Sequence, residues 1–236
     1  MNETAEMVLM GWLAGLPIFL GGVLSRYENI PEGLAKREII HGIVGLGGGL
    51  LVAAVALVLV PAGLETLSLW PLVGSFILGA AVFCAVDRQL SLQGGPLAQT
   101  LAMLMDFLPE AIALGALFAH HHRLGVLLAL LIGAQNLPEG FNSYREMTAA
   151  GNSPAKAIRI MFVLSFSGIL AVLLGRFVLQ PHAALVAGMM SFAAGGILYL
   201  VFQDVAPMTR MRRHWLPPLG ASLGFAVGMI AEKLLA

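Results

Sequence analysis

The sequence predicts an all-α integral membrane protein with eight transmembrane helices and both termini on the outer, periplasmic or extracellular, side. Three observations predict it. Hydrophobic residues make up 58% of the 236 and charged residues only 11%, against about 25% charged in a soluble globular domain. Eight apolar stretches approach the length of about 20 residues that a helix needs to cross a bilayer. Basic residues cluster in alternate connections, as expected of a polytopic chain, and the bias agrees with an even number of crossings.

The spans run, with soft ends, over 7–25, 42–63, 70–90, 96–119, 124–144, 157–179, 182–203 and 215–235. The connections are too short for a soluble domain, so residues 1–236 are expected to form one polytopic unit. Span one follows an acidic head, Met1-Asn2-Glu3-Thr4-Ala5-Glu6. That is the reverse of a secretory leader, so no cleavable signal is expected. Span two holds Gly47-Gly48-Gly49. It lacks the strand and the Lys-Ser/Thr of a phosphate loop, and reads as a close helix contact beside the path. Span three holds the one cysteine, Cys84, read as a small buried hydrophobe. A single Cys excludes an intrachain disulfide and a thiolate metal cluster.

Orientation follows from short-loop Lys and Arg. Arg26, Lys36, Arg37, Arg88, Arg145, Lys156, Arg159, Arg210, Arg212 and Arg213 lie on one side, which is 10 of the 13 basic residues. Arg123, Arg176 and Lys233 lie on the other. The richer side is assigned to the cytoplasm. The compact loops suggest a bacterial inner membrane. The formal net charge of +0 offers no footprint for nucleic acid.

Spans four and five carry the chemistry. An ionisable side chain in mid-membrane costs at least ~2.5–3.5 kcal/mol on insertion scales, so it marks function by default. Span four reads Met105-Asp106-Phe107-Leu108-Pro109-Glu110, and span five reads Gln135-Asn136-Leu137-Pro138-Glu139-Gly140. Asp106 and Glu110 are four apart, as are Gln135 and Glu139, and Asn136 is three from Glu139; each set shares a helix face. Two or three oxygen ligands per helix thus aim at one point, with Met105 a soft neighbour. The prolines release the carbonyls of Met105 and Ala134. Such devices are expected to break the helices near the midplane, a mark of transport sites. Pro kinks joined by interhelical hydrogen bonds are the competing explanation. Three acids this close repel unless protonated or metal-bound, and a divalent cation is the simplest remedy.

These residues resemble the ZIP (Zrt/Irt-like) family of divalent metal transporters. Asn136-Leu137-Pro138-Glu139-Gly140 matches its span-five motif, with Gln135 at a His position. Span four retains Pro109-Glu110, with Asp106 and Phe107 at the His and Asn positions. The run from Phe192 through Tyr199 to Asp204 is also similar. The resemblance implies a metal site between spans four and five, an elevator-like or rocking motion, and a homodimer. In many relatives a second metal uses the span-four Asn and a span-six Glu. Phe107 replaces the first, and the string Ser165-Phe166-Ser167-Gly168 contains no acid, so one metal per path is expected. The oxygen-only ligand set favours harder ions such as manganese over zinc.

His120, His121 and His122 could collect metal at an entrance, or form a solvated turn. Glu28 through Gly33 repeats the Asn-x-Pro-Glu-Gly string in a loop, where it could form a low-affinity exit site, although without an apolar surround turn chemistry is the better explanation. His41, Asp87, Arg145, Glu146 and Asp204 sit at span ends and read as paired or snorkelling residues, with Asp204 a candidate secondary site. The expected function is secondary transport of divalent cations of the zinc, manganese, iron or cadmium class. The metal is cargo, with no catalytic cofactor and no enzymatic activity expected. The alternatives are a membrane-embedded metal-dependent hydrolase, which would want His ligands deep in a span, and a non-transporting metal sensor or scaffold.

Overall fold

The computed structural model describes residues 3–31, 33–93, 95–118, 122–179, 182–211 and 214–235, without the side chains at 93, 95–99, 102, 106, 179 and 235. His120, His121, Arg212, Arg213 and the side chain of Asp106 therefore lie outside the described residues. Eight helical rods follow one another: α1 (Glu3–Tyr27), α2 (Leu34–Thr66), α3 (Leu69–Gln93), α4 (Gly95–Phe118), α5 (His122–Ala149), α6 (Pro154–Val178), α7 (Ala183–Thr209) and α8 (Leu216–Leu235). No strand occurs among the described residues. The rods fall in order on the eight apolar stretches. Six of them (α1, α2, α3, α5, α6 and α7) are long and apolar enough to cross a membrane.

Lipid offers no hydrophobic drive for one helix to join another, so close backbone approach and polar contacts hold such bundles. Here glycines supply the approach. A Cβ on Gly21 of α1 would strike the Leu137 carbonyl of α5, and one on Gly140 would strike the Ile18 carbonyl of α1. Gly49 of α2 faces the Ala221 carbonyl of α8, while Gly220 and Gly224 face the carbonyls of Gly42 and Leu46 in return. Gly79 and Gly195 join α3 to α7 in the same reciprocal way, and Gly115 and Gly175 join α4 to α6. The triglycine of α2 has three different neighbours: Pro138 at Gly47, Val205 at Gly48 and Ala221 at Gly49.

Helix α5 is the hub, packing against α1, α2, α4, α6 and α8. Helix α3 lies at the edge against α7 and α4, with only 11% of its span buried. Trp70, Ile77 and Leu78 face outward there. Cys84 shares that exposure, which corrects the expectation of a buried cysteine. An edge helix in lipid is apolar on its outer face too.

The prolines do not break their helices. Pro109 and Pro138 lie inside continuous α-helix, as does Pro17. Membrane helices carry a proline whole where neighbours make room, and Pro138 packs into the space that Gly47 leaves open. The interruption occurs instead in α6, where Ser165 and Phe166 form a turn between Pro154–Leu164 and Ser167–Leu174. Two hydroxyls satisfy carbonyls there: Ser165 Oγ donates to Phe162 and Ser167 Oγ to Leu164, each at 2.7 Å. π-Helical turns occupy Val55–Leu59, Gly175–Leu179 and Val201–Val205.

The end carrying the α1–α2, α3–α4, α5–α6 and α7–α8 connections holds most of the basic residues, and is called here the basic end. Gly151, at φ 103°, turns the chain out of α5 in the left-handed region that favours glycine. Ser153 then caps α6, its hydroxyl accepting from the Lys156 amide at 3.3 Å. The Glu28 carboxylate meets Lys36 Nζ at 2.5 Å and Arg145 Nη1 at 3.7 Å. One loop residue thereby ties α1 to α2 and α5. The hydrogen bond from Lys36 holds the Glu28 carboxyl below the usual carboxylate range.

Two predictions follow from this packing. Gly140→Leu, which drives a side chain into the Ile18 carbonyl, should lower thermal stability in detergent by about 1–3 kcal/mol, while Gly74→Leu, which meets open space, should leave it unchanged. Glu28→Gln should lower stability at neutral pH. A depressed carboxyl contributes stability above its unfolded-state pKa, and loses it as pH falls through the lower folded value. The wild type and Glu28→Gln melting curves should therefore converge in acid below the ordinary carboxylate range; a difference that persists there would argue against the ion pairs.

Candidate metal site

Helices α4 and α5 pack directly against each other, and this contact brings Glu110 to Gln135. Both are 1% exposed, and Gln135 Nε2 donates to Glu110 Oε2 at 2.6 Å. A hydrogen bond to a carboxylate is among the stronger kinds, and here it helps offset the cost of burying the acid. The arrangement turns the other half of the amide outward. Gln135 Oε1 is buried with no hydrogen-bond partner among the described residues. An orphaned buried acceptor costs about 1–3 kcal/mol, and an oxygen-seeking cation is one way to recover it.

Asn136, also 1% exposed, faces another way. Its Nδ2 donates to the Ala14 carbonyl of α1 at 2.7 Å. Part of its hydrogen bonding thus ties α5 to α1, where the sequence pattern assigned it to the ligand set. Met105 is half-buried on α4. Phe107, one turn before Glu110, is 1% exposed, with its ring between α1 and α6. Among the described residues no three His, Cys, Asp or Glu side chains gather as a metal cluster; the third expected acid, Asp106, has its side chain outside that set.

Glu139 is half-buried and borders a cavity of about 590 Å³. The cavity runs between α4–α5 on one side and α2, α3 and α7 on the other. Met103, Pro138, Asn142, Glu146, Asp87, Gln203, Asp204 and Met208 line it. Glu139, Glu146, Asp87 and Asp204 give it four carboxyl groups. Asn142 Nδ2 donates to Glu146 Oε1 at 2.6 Å, and Tyr199 Oη donates to Asp87 Oδ2 at 2.9 Å. His41 closes the basic end by donating from Nδ1 to the Met208 carbonyl. His214 pairs with Glu38 at 2.7 Å.

Asp204, a candidate by resemblance, therefore shares one space with Glu139. Asp87 and Glu146, read as span-end residues, share it too. A helical period would have found Glu146: Gln135, Glu139, Asn142 and Glu146 form one stripe down α5. Asp87 lies on another helix, and no local pattern announces it.

At the opposite end His122 is exposed, pairs with Glu6 Oε1 at 3.1 Å and stacks on Phe118 at 4.7 Å. Arg176 pairs with Glu3 at 3.3 Å. The first turn of α1 thus caps the ends of α5 and α6 there.

No family model matches the chain. It is 33% identical over 108 residues to a curated protein of Myxococcus xanthus, the zinc transporter GufA. The aligned stretch is 45% of this chain and 42% of that protein, so the likeness spans less than half of the relative's length. Helices apolar enough to cross a membrane and similarity to a metal transporter are the two findings that a function has to join.

Proposed function

We propose that the chain is a secondary transporter that carries divalent metal cations across the membrane through a site between α4 and α5, as a relative of the ZIP family. The observation that carries this reading is the buried Glu110–Gln135 pair. It presents a carboxyl group beside an amide oxygen that has no partner among the described residues. The Asn136–Gly140 string and the partial identity to a zinc transporter support it from a second direction.

In this reading all eight rods cross the bilayer, both termini lie outside, and the basic end faces the cytoplasm. A cation held by Glu110, Gln135 and Glu139, with Asp106 as a further acid, exchanges with water in the cavity at the basic end. The carboxylates of Asp87, Glu146 and Asp204 lower the cost of moving a double positive charge along that cavity. At the opposite end, the His122–Glu6 and Arg176–Glu3 pairs close the bundle. Oxygen ligands suit manganese and other harder ions better than imidazole does.

Uptake into proteoliposomes of manganese, zinc, iron(II) and cadmium tests the reading. Glu110→Gln and Glu139→Gln should each cut uptake by about tenfold to a hundredfold, the loss that even indirect partners of a metal ligand produce. Wild-type liposomes that bind metal yet never accumulate it would favour a sensor over a carrier. The ligand argument has its own test: Gln135→His introduces a nitrogen donor beside Glu110, and should move the preference toward zinc over manganese by about tenfold. An unchanged ion order would remove Gln135 from the site.

A further inference from the structure

Phe107 has no role in the reading above, although it lies on the same face of α4 as Glu110, one turn away. Its surroundings are unusual for a bulky aromatic. The ring tip sits 3.1 Å from where a Cβ on Gly15 would stand and 2.8 Å from where one on Gly168 would stand. A Cβ on Gly168 would collide with the ring, and one on Gly15 would crowd it while striking the Ser165 carbonyl. Two glycines on two helices, α1 and α6, thus form a slot that the phenyl group fills, and only 1% of the residue remains exposed. The turn that interrupts α6 borders the same slot, since the Ser165 carbonyl packs against Gly15. The slot also adjoins the cation site. Ala14, next to Gly15, accepts the hydrogen bond from Asn136, the neighbour of Gln135.

On the side toward α1 and α6 the phenyl ring therefore fills the space beside Gly15 and Gly168. The hydroxyl of Ser165, at the border of the slot, is turned to the Phe162 carbonyl. The cavity comes nearest the pair on α5, at Glu139, one turn from Gln135, while the slot is filled by the ring. A cation entering there has to shed water on the phenyl side and receives no oxygen ligand from the ring in exchange. Ions differ sharply in that cost. Magnesium is small, demands near-ideal octahedral geometry and dehydrates reluctantly, so it usually keeps several waters. Manganese and zinc give up water more readily and take incomplete or mixed coordination.

We propose that Phe107 is a specificity-determining residue that excludes magnesium by walling the site against water. The inference rests on the α4–α5 cation site of the preceding subsection. Its test is equilibrium competition of magnesium against manganese on the full-length protein in detergent, for wild type, Phe107→Asn and Phe107→Leu. Asparagine puts a polar group and room for water where the ring stood; leucine keeps the wall apolar and controls for lost packing. Phe107→Asn should improve magnesium competition by about tenfold, the scale on which a single altered contact discriminates ligands, while Phe107→Leu should stay within a few-fold of wild type. A manganese-to-magnesium ratio unchanged in a folded, manganese-binding Phe107→Asn protein overturns the proposal. So does equal relaxation in both variants, which would assign the effect to packing. Absence of manganese binding by the wild type removes the underlying cation site, and the proposal with it.

Discussion

A carboxylate buried between two membrane helices is the constraint on which the rest of the structure depends. Glu110 is almost fully enclosed, and the described partner at its Oε2 is an amide from the facing helix. A charged group in that position is costly in lipid, so α4 and α5 have to stay in contact at that level. Holding them there are glycine contacts elsewhere: α5 against α1 through Gly21 and Gly140, and α4 against α6 through Gly115 and Gly175. The polar pair is central, and the close backbone contacts are its scaffold.

A gradation runs along α5. At Gln135 the side chain is sealed, at Glu139 it borders the cavity, and at Asn142 and Glu146 it lines the route toward the basic end. One helix face thus passes from dry to wet in about three turns. The carboxylates of the wet part are shared among three helices, so the charge is spread where water can solvate it. Gly47 and Gly48 let α2 close upon Pro138 and Val205 along one side of this route. A bulkier α2 would stand off and leave that side open.

Much of this was legible in the sequence, for identifiable reasons. Eight apolar runs gave eight rods in the right order, because length and composition dominate in a membrane. Glu110 and Gln135 were legible because polar residues stand out against apolar neighbours. The tie of Asn136 to α1 was hidden, since its partner Ala14 is 122 positions away and is a backbone carbonyl. Cys84 was misplaced because lipid is as apolar as a protein core, so hydropathy does not separate the two faces of α3. The interruption at Ser165–Phe166 was missed, although Ser165, Ser167 and Gly168 set that stretch apart from its apolar flanks. Pro109 and Pro138 gave the opposite error: an expected break that neighbouring helices accommodate.

The pairing of α2 with α8 has a consequence for biosynthesis. The contacts of Gly49, Gly220 and Gly224 join a helix completed at Thr66 to one that ends at Leu235. Ribosomes add about 5–20 residues per second, so α2 waits roughly 10–30 s in the membrane before its partner is complete. Throughout that interval the face around Gly45 and Gly49, shaped to receive the α8 backbone, lacks that partner. Mutations that slow translation between α2 and α8 lengthen the exposure without altering a single contact of the finished bundle.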